Sequence, residues 1–382
     1  MTKVVVVGGG IGGLATAIAL KPTGIETVVL EQASDLSRVE VGAGITLWPN
    51  AVEMLDRLGV GDQVREAGSL FTGQLEQRTA DGRLLAGWHL NEFADALGAS
   101  PMGIRRPVLH GILAAAANEH VKAGSKATGF EEDDSEVRVT LADGRVEAGS
   151  ALIGADGIDS VIRAQLHGAE LPRFSGLVIW RAVTKFDDDA LPPGALLSLW
   201  GTGTRFVAFR VAEGTFSWEA TLAADAGGSD PPEGAKPQLL ELFAHYRDPV
   251  RQLVESTEEP AIVRNDVCDR PPTERWGGGR VTLLGDAAHA MTFAVGQGAA
   301  QALEDAVTLG SALAAGGDVE AGLRTYEQKR IKRAAHFQSM AWRLARMGLA
   351  RNPLKIATRN AFMRLTSRTG KRLQVRDLRV PD

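Results

Sequence analysis

The sequence predicts an α/β fold: a parallel sheet with crossover helices, interrupted by an antiparallel β-rich insertion and followed by a helical C-terminal region. Three patterns predict it. Residues 3–7 and 27–30 are β-branched runs too short for a helix, and between them stand a glycine cluster and a helical stretch at 14–21. That is the order of a right-handed β-α-β crossover. Residues 174–222 then change character, to short alternating runs at 177–180, 195–200, 205–211 and 215–222 parted by turn residues such as Pro192-Pro193-Gly194. Alternation of this kind suits an antiparallel sheet with one covered face. From Gly298 onward the chain reads as a long helix.

The other elements follow in order. Residues 50–58 read as a helix with Asn50 near its start, and 108–121 as a third helix. Residues 137–141 and 145–148 flank Asp143-Gly144, a hairpin signal. Residues 151–153 and 281–284 are short apolar runs in the style of buried strands.

Composition narrows the class of protein. The 382 residues are 44% hydrophobic and 23% charged, as in a globular chain long enough for more than one domain. A single cysteine, Cys268, excludes an internal disulfide framework and a cysteine-rich zinc site, and it suits a reducing compartment. Residues 4–20 are apolar but repeatedly broken by glycine, which fits neither a signal peptide nor a spanning helix, so a cytoplasmic location is expected. The net charge of −5 conceals a split. From residue 321 onward there are sixteen Lys and Arg against three Asp and Glu, whereas the rest carries twenty-six against forty-four. With a pI of about 5.9 and no recognition motif, nucleic acid is not an expected partner. Phe337, Met340, Ala341, Leu344 and Met347 form one helical stripe flanked by Arg343 and Arg346. A helix docked on the body is the expected reading, with peripheral contact to an anionic membrane through this basic region as the alternative.

The first chemical motif is Gly8-x-Gly10-Ile11-Gly12-Gly13, directly after a strand and opening a helix. The first glycine makes a tight turn, the second lets backbone approach a pyrophosphate, and the third allows close helix–strand packing. The helix N-terminus offers free N–H groups to the anion. Glu31 ends the second strand, eighteen residues past Gly13, where an acid would accept hydrogen bonds from an adenosine ribose. The pattern alone suits NAD or FAD. Two further segments follow strands: Gly154-Ala155-Asp156-Gly157 with Ser160 and Arg163, and Gly285-Asp286-Ala287-Ala288-His289 continuing to Gly296-Gln297-Gly298.

On these three ordered motifs, with Gly42-Ala43-Gly44, Pro49-Asn50-Ala51, Arg106-x-x-Leu109 and Glu304-Asp305, nearly the whole chain resembles the single-component FAD monooxygenases of the para-hydroxybenzoate hydroxylase fold. The resemblance implies an FAD-binding, glutathione-reductase-type Rossmann domain in segments 1–72, 101–172 and 272–320. An inserted antiparallel substrate domain would comprise 73–100 and 173–271, with a helical region at 321–382. It implies that Gly8, Gly10, Ile11, Gly12, Gly13, Glu31, Arg38, Arg106, Asp156, Gly157, Asp286, Gly296, Gln297 and Gly298 hold FAD. Asp156-Gly157 would also serve transient NAD(P)H binding, although a plain turn aspartate is the alternative for Asp156. Asp286 would reach the ribityl chain, and Gly296–Gly298 the pyrimidine edge of the flavin, where a helix N-terminus favours negative charge. His289 is expected to be structural, and Glu304-Asp305 to lie on a helix face.

The implied reaction uses NAD(P)H and O2 to hydroxylate or epoxidise a small aromatic or N-heteroaromatic molecule through a flavin C4a-hydroperoxide. A related-fold reductase and a flavin protein without turnover are the alternatives. The family's His-Pro-Met-x-Pro loop reads His289-Ala290-Met291-Thr292-Phe293 here, so both prolines are absent. Expected substrate contacts are Trp180, Arg181, Trp200, Phe206, Arg210 and Phe293, with Phe206 and Phe209 on opposite faces by strand period. No catalytic base is identifiable from the sequence, no metal site is expected, and the chain is expected to be a monomer or homodimer.

Overall fold

The computed structural model describes residues 2–36, 43–186, 191 and 194–381. The strand Lys3–Val7 sits at the centre of a five-stranded sheet, paired in parallel with Glu26–Leu30 on one side and Ala151–Gly154 on the other. Val281–Leu283 and Val121–Lys122 complete the two edges. Val4, Val5, Val6 and Val7 are buried in a core shared with helices such as Ile11–Leu20 and with a three-stranded antiparallel sheet, Ala127–Glu132, Val137–Leu141 and Val146–Gly149. Helix Ile11–Leu20 packs along Gly298–Ala314. Gly310 makes that approach possible: a Cβ there would stand 2.9 Å from the Ala19 Cβ.

The insertion is a seven-stranded sheet in the order Val263–Asp269, Arg173–Lys185, Thr215–Ala223, Thr204–Ala212, Leu196–Trp200, Gln74–Thr79, Leu84–His89. It is antiparallel except where Leu196–Trp200 runs parallel to Gln74–Thr79. Its outer face packs Trp180, Phe206, Ala208, Trp218 and Ala220 against helices Ala235–Leu242 and Val250–Glu255. Phe206 stacks on Trp218 at 5.6 Å. Its inner face turns Leu196, Val207, Phe209 and Val211 toward Trp48, Phe71 and Phe93. A small sheet of Gly44–Leu47, Met102–Arg105 and Ser69–Leu70 joins the two halves. There the Gly44 N–H donates to the Ser217 hydroxyl at 2.8 Å, and a side chain on Gly44 would strike Ser217.

The basic C-terminal region forms two helices. Val319–Gly348 is capped by Asp318 and turns Tyr326, Ala334, Phe337, Ala341 and Ala345 inward. The stripe expected at 337–347 thus faces protein: Phe337 and Ala341 are buried, and Leu344 packs with Leu177 and Ile179. Pro353–Leu378, capped by Asn352, runs back along Leu84–His89 to the helix Asn91–Leu97. It is anchored by Arg359 on the Gly201 carbonyl, by the Trp88 indole on the Ser367 carbonyl at 2.7 Å, and by buried Leu378. Among the described residues no helix is long and apolar enough to cross a membrane.

Several elements differ from the sequence reading. The helix expected at 108–121 is Arg106–Ala117 and ends one turn earlier, because Asn118–His120 tighten into a 3-10 turn and Val121 enters the sheet edge. The strands Gln74–Thr79 and Val263–Asp269 lie in segments too polar for alternation to single out, and Leu84–His89 is mostly apolar without alternation.

Candidate functional site

Gly8, Gly12 and Gly13 of the first loop are each fixed by a different neighbour. Gly8 has φ +108°, and a Cβ there would run into the Ala155 carbonyl oxygen. A Cβ on Gly13 would run into the carbonyl of Gly8, and one on Gly12 would lie 2.6 Å from Leu284. Gly10 differs, since nothing lies within 4 Å of where its Cβ would be. The loop is therefore packed on its protein side and open at Gly10. There the following helix begins at Ile11 with no side-chain cap and no acid in its first turn. Glu31 accepts hydrogen bonds from the Gly9 N–H at 2.6 Å and the Ala33 N–H at 2.7 Å, which places its carboxylate beside the opening. His110 Nε2 is 2.8 Å from the Gly9 carbonyl. A free helix N-terminus, an open glycine and an adjacent acid fit a dinucleotide pyrophosphate and its ribose.

Asp156 has a structural task. Its carboxylate accepts from the Ser160 hydroxyl at 2.5 Å and the Val161 N–H at 2.8 Å, capping helix Val161–His167 together with Ser160. Burial pushes its carboxyl up, against those hydrogen bonds. Gly157 keeps φ +81° with open space where a side chain would be. Arg163, on the helix so capped, donates to the Ala287 carbonyl at 3.1 Å and ties this turn to the second aspartate motif.

Asp286 opens the short helix Asp286–His289 after Gly285, whose φ is +62°. Solvent reaches the residue although protein atoms crowd around its carboxyl. That crowding pushes its carboxyl up, while His289 and Arg106 pull it down. Arg106, at the start of Arg106–Ala117, therefore bears on the same carboxyl. Beyond it, Ala290 keeps φ −47°, close to what a proline ring imposes, so the loop holds a proline-like backbone here without the proline. The Ala290 carbonyl is gripped by the Arg270 N–H at 3.1 Å and by Gln338 at 3.3 Å. Gly296, φ +64°, could not carry a Cβ, which would lie 2.5 Å from Thr46 Oγ1. The buried Trp48 indole N–H and Thr292 hydroxyl beside this loop have no partner among the described residues, so polar groups are left for a bound molecule. Helix Gly298–Ala314 starts without a side-chain cap, and Gly298 is open. These features fit FAD. Arg38 and Gly42 lie outside the described residues.

A buried ionic network stands behind the loop. Gln297 accepts from Asn50 at 2.9 Å and from Gln301 at 3.1 Å, and Asn50 also donates to Glu304 at 2.7 Å. Arg330 bridges Glu304 and Asp305, Arg333 pairs with Glu304 at 2.6 Å, and Asp305 accepts from His289 at 2.5 Å and from the Gly285 N–H at 3.0 Å. Burial alone would push Asp305 up, but His289 and Arg330 override it and hold the carboxyl at about 2. Arg330 is pushed above its ordinary value by the same two acids despite burial. His289 is fully buried against Asp305. Asp305 holds the Gly285 backbone of the aspartate motif, and Glu304 is linked to the Gln297 side chain through Asn50 and Gln301, roles their helix positions alone did not show.

The inner sheet face carries charge. Arg205 donates to Ser198 at 2.9 Å and lies 4.5 Å from the centre of the Trp200 ring. Glu219 is opposite Arg181 in the ladder, and Arg181 donates to Asn265 at 2.8 Å. Burial pushes Arg205 down to about 10 and Glu219 up, each opposed by the other's charge and Glu219 also by Arg181. Three of the expected substrate contacts are on the other face. Trp180 and Phe206 belong to the outer core, with the Trp180 indole donating to Asp230 at 2.7 Å, and Arg210 lies over Phe216 at 4.7 Å. The period of two, which separates 180, 206 and 210 from 181, 205 and 209, is the reason. Arg181 and Trp200 are on the inner face, and Phe293 packs with the inner-face cluster of Leu177 and Ile179. Arg205 and Glu219 were missed. Their signal was charge at inward positions of otherwise apolar strands.

A cradle of this kind beside the inner face of an inserted sheet defines a flavoprotein of the para-hydroxybenzoate hydroxylase class. Residues 1–341 match the FAD binding domain family, and the chain belongs to it. It is 37% identical to the aurachin C monooxygenase/isomerase of Stigmatella aurantiaca over 95% of this chain and 94% of that protein. It is 34% identical to the chloroplastic zeaxanthin epoxidase of Solanum lycopersicum over 89% of this chain but only 53% of that longer protein. The crystal structure of Klebsiella pneumoniae HpxO with FAD and uric acid superposes with a TM-score of 0.89 at 30% identity, over 99% of this chain and 95% of that one.

Proposed function

We propose that this protein is an FAD-dependent monooxygenase that uses NAD(P)H and O2 to hydroxylate or epoxidise a small aromatic or N-heteroaromatic molecule. The observation that carries the reading is the meeting of an open cofactor cradle with a buried, charged inner sheet face at the loop 290–297. When bound, FAD supplies hydride acceptance and the activation of oxygen. The chain supplies the rest. The N–H groups at Gly10 and Ile11 receive the pyrophosphate, and Glu31 the ribose. Asp286 and Arg106 flank the middle of the cofactor. The uncapped helix N-terminus at Gly298 favours negative charge at the flavin's pyrimidine edge.

On the substrate side, Arg205 offers a fixed cation to a ring carbonyl or oxyanion, and Glu219 an acceptor to a ring N–H. A ring carrying both groups, as a quinolone or purine does, satisfies both side chains. The relatives named for aurachin C and the structure holding uric acid support that substrate class. Leu196, Val207, Phe209 and Phe293 exclude water around it. NAD(P)H binds transiently, since the sequence has no second glycine-loop fingerprint. The single cysteine supports a cytoplasmic location. The test is NAD(P)H oxidation by the FAD-loaded protein against a panel of such rings. Stimulation by a ring that bears both a carbonyl and an N–H is expected, and a response confined to neutral hydrocarbons would refute the pairing.

A further inference from the structure

The helix Pro353–Leu378 has an inner face that the fold uses and an outer face that it leaves bare. Leu354, Phe362, Leu365 and Leu373 are 75%, 56%, 83% and 46% exposed. At roughly 100° per residue these four positions fall within an arc of about 100°, on one side of the helix. Exposed large apolar residues are ordinary when scattered; four along one helix face are not.

The charges on this helix are one-sided too. Lys355, Arg364 and Arg372 are exposed and make no ion pair among the described residues. Its only acid is Asp377, which is held by Arg376 at 2.9 Å and His336 at 3.1 Å. Lys371 is taken by Glu92, and Arg359 is turned inward onto Gly201. The outer face thus presents aliphatic and aromatic side chains among unpaired cations, with no free carboxylate.

We infer that this face is a peripheral docking surface for an anionic lipid bilayer, with the helix lying in the plane of the headgroups. Phosphate groups match the unpaired Lys355, Arg364 and Arg372, and the acyl boundary matches Leu354, Phe362, Leu365 and Leu373. A second copy fits less well, since a twofold contact would set this cationic face against itself. An acidic protein partner would answer the charges but not the separated, protruding apolar side chains. The helix lies on the membrane and does not span it, as no described helix is apolar enough to cross.

The test is flotation of the full-length, FAD-loaded chain with vesicles of phosphatidylcholine alone or with about 30 mol% phosphatidylglycerol. Binding to the anionic vesicles should exceed binding to neutral ones by about tenfold or more and should collapse in about 0.5 M NaCl. Phe362→Ala with Leu365→Ala, and separately Arg364→Gln with Arg372→Gln, should each reduce anionic-vesicle binding by about fivefold or more. Flavin absorbance and melting temperature should stay unchanged in both variants. Absence of flotation, or flotation that neither double variant weakens, overturns the inference. So does a dimer that Phe362→Ala with Leu365→Ala converts to a monomer in light scattering, which assigns the face to a second copy.

Discussion

The glycine cradle and the inner face of the seven-stranded sheet present polarity by different means. The cradle works through backbone. Gly8, Gly12 and Gly13 are glycine because protein atoms occupy the space of a side chain, while Gly10 is glycine where that space is open. The sheet works through side chains, with Arg205 buried, Glu219 half-buried and the charged forms of both destabilised. On the proposed function one surface holds the cofactor and the other selects the ring, so damage to each should look different.

The largest effect should come from the backbone side. Gly8→Ala adds a Cβ against Ala155 at a φ that L-residues avoid, and a cost of roughly 3 kcal/mol or more is expected. Purified protein should then lack absorbance near 450 nm and melt early. Retained stoichiometric flavin would break the contrast between packed and open glycines.

The ionic network comes next. Arg330→Leu strands Glu304 and Asp305 in the interior and should destabilise by roughly 3–5 kcal/mol in denaturant titration. The pH dependence has a definite sign. Asp305 is depressed, so its stabilisation is complete above the ordinary aspartate value and is lost as pH falls from about 3.8 to about 2. Glu304 is also held below its ordinary value, with Arg330 and Arg333 opposing burial, and acts in the same direction. Acid titration of wild type and Arg330→Leu should show that the variant has less stability to lose there.

Arg205→Gln should leave flavin content intact and lower kcat/KM about 100-fold for a ring bearing a carbonyl or oxyanion. Glu219→Gln should relieve a buried acid, and the double variant should be less impaired than the two losses combined. Strict additivity would mean that the two groups do not share a substrate.

The smallest functional effect belongs to the outer face. Phe206→Leu should cost roughly 1–2 kcal/mol of stability and leave KM within about twofold, because that ring packs on Trp218 and Phe243. A large KM change would reverse the assignment of faces.

These differences explain what the sequence disclosed. The cradle was legible because a tight turn, a helix start and a strand end fall at fixed spacing, so Gly8, Gly13 and Glu31 identify themselves. Asp156 was less so: one aspartate before glycine can cap a helix or face a ligand, and only the Ser160 and Val161 hydrogen bonds separate the two. The substrate sheet was legible as a sheet but not residue by residue. Trp180 and Arg181 are neighbours on opposite faces, and choosing between them requires knowing which face meets the cofactor domain, a fact held in the Gly44–Ser217 contact 173 residues apart. The Glu304–Arg330 pair, likewise distant in sequence, gave no local signal. The basic tail was legible as charge and as one helical stripe at 337–347. The structure divides it into a first helix whose stripe faces inward and a second whose outer apolar face stays exposed.

The most direct test of the central claim is mass spectrometry of the product formed by FAD-loaded protein with NAD(P)H and a stimulating N-heteroaromatic ring under 18O2. The account predicts one labelled oxygen atom per product molecule. Turnover of that ring without label, or at the same rate under anaerobic conditions, would contradict it.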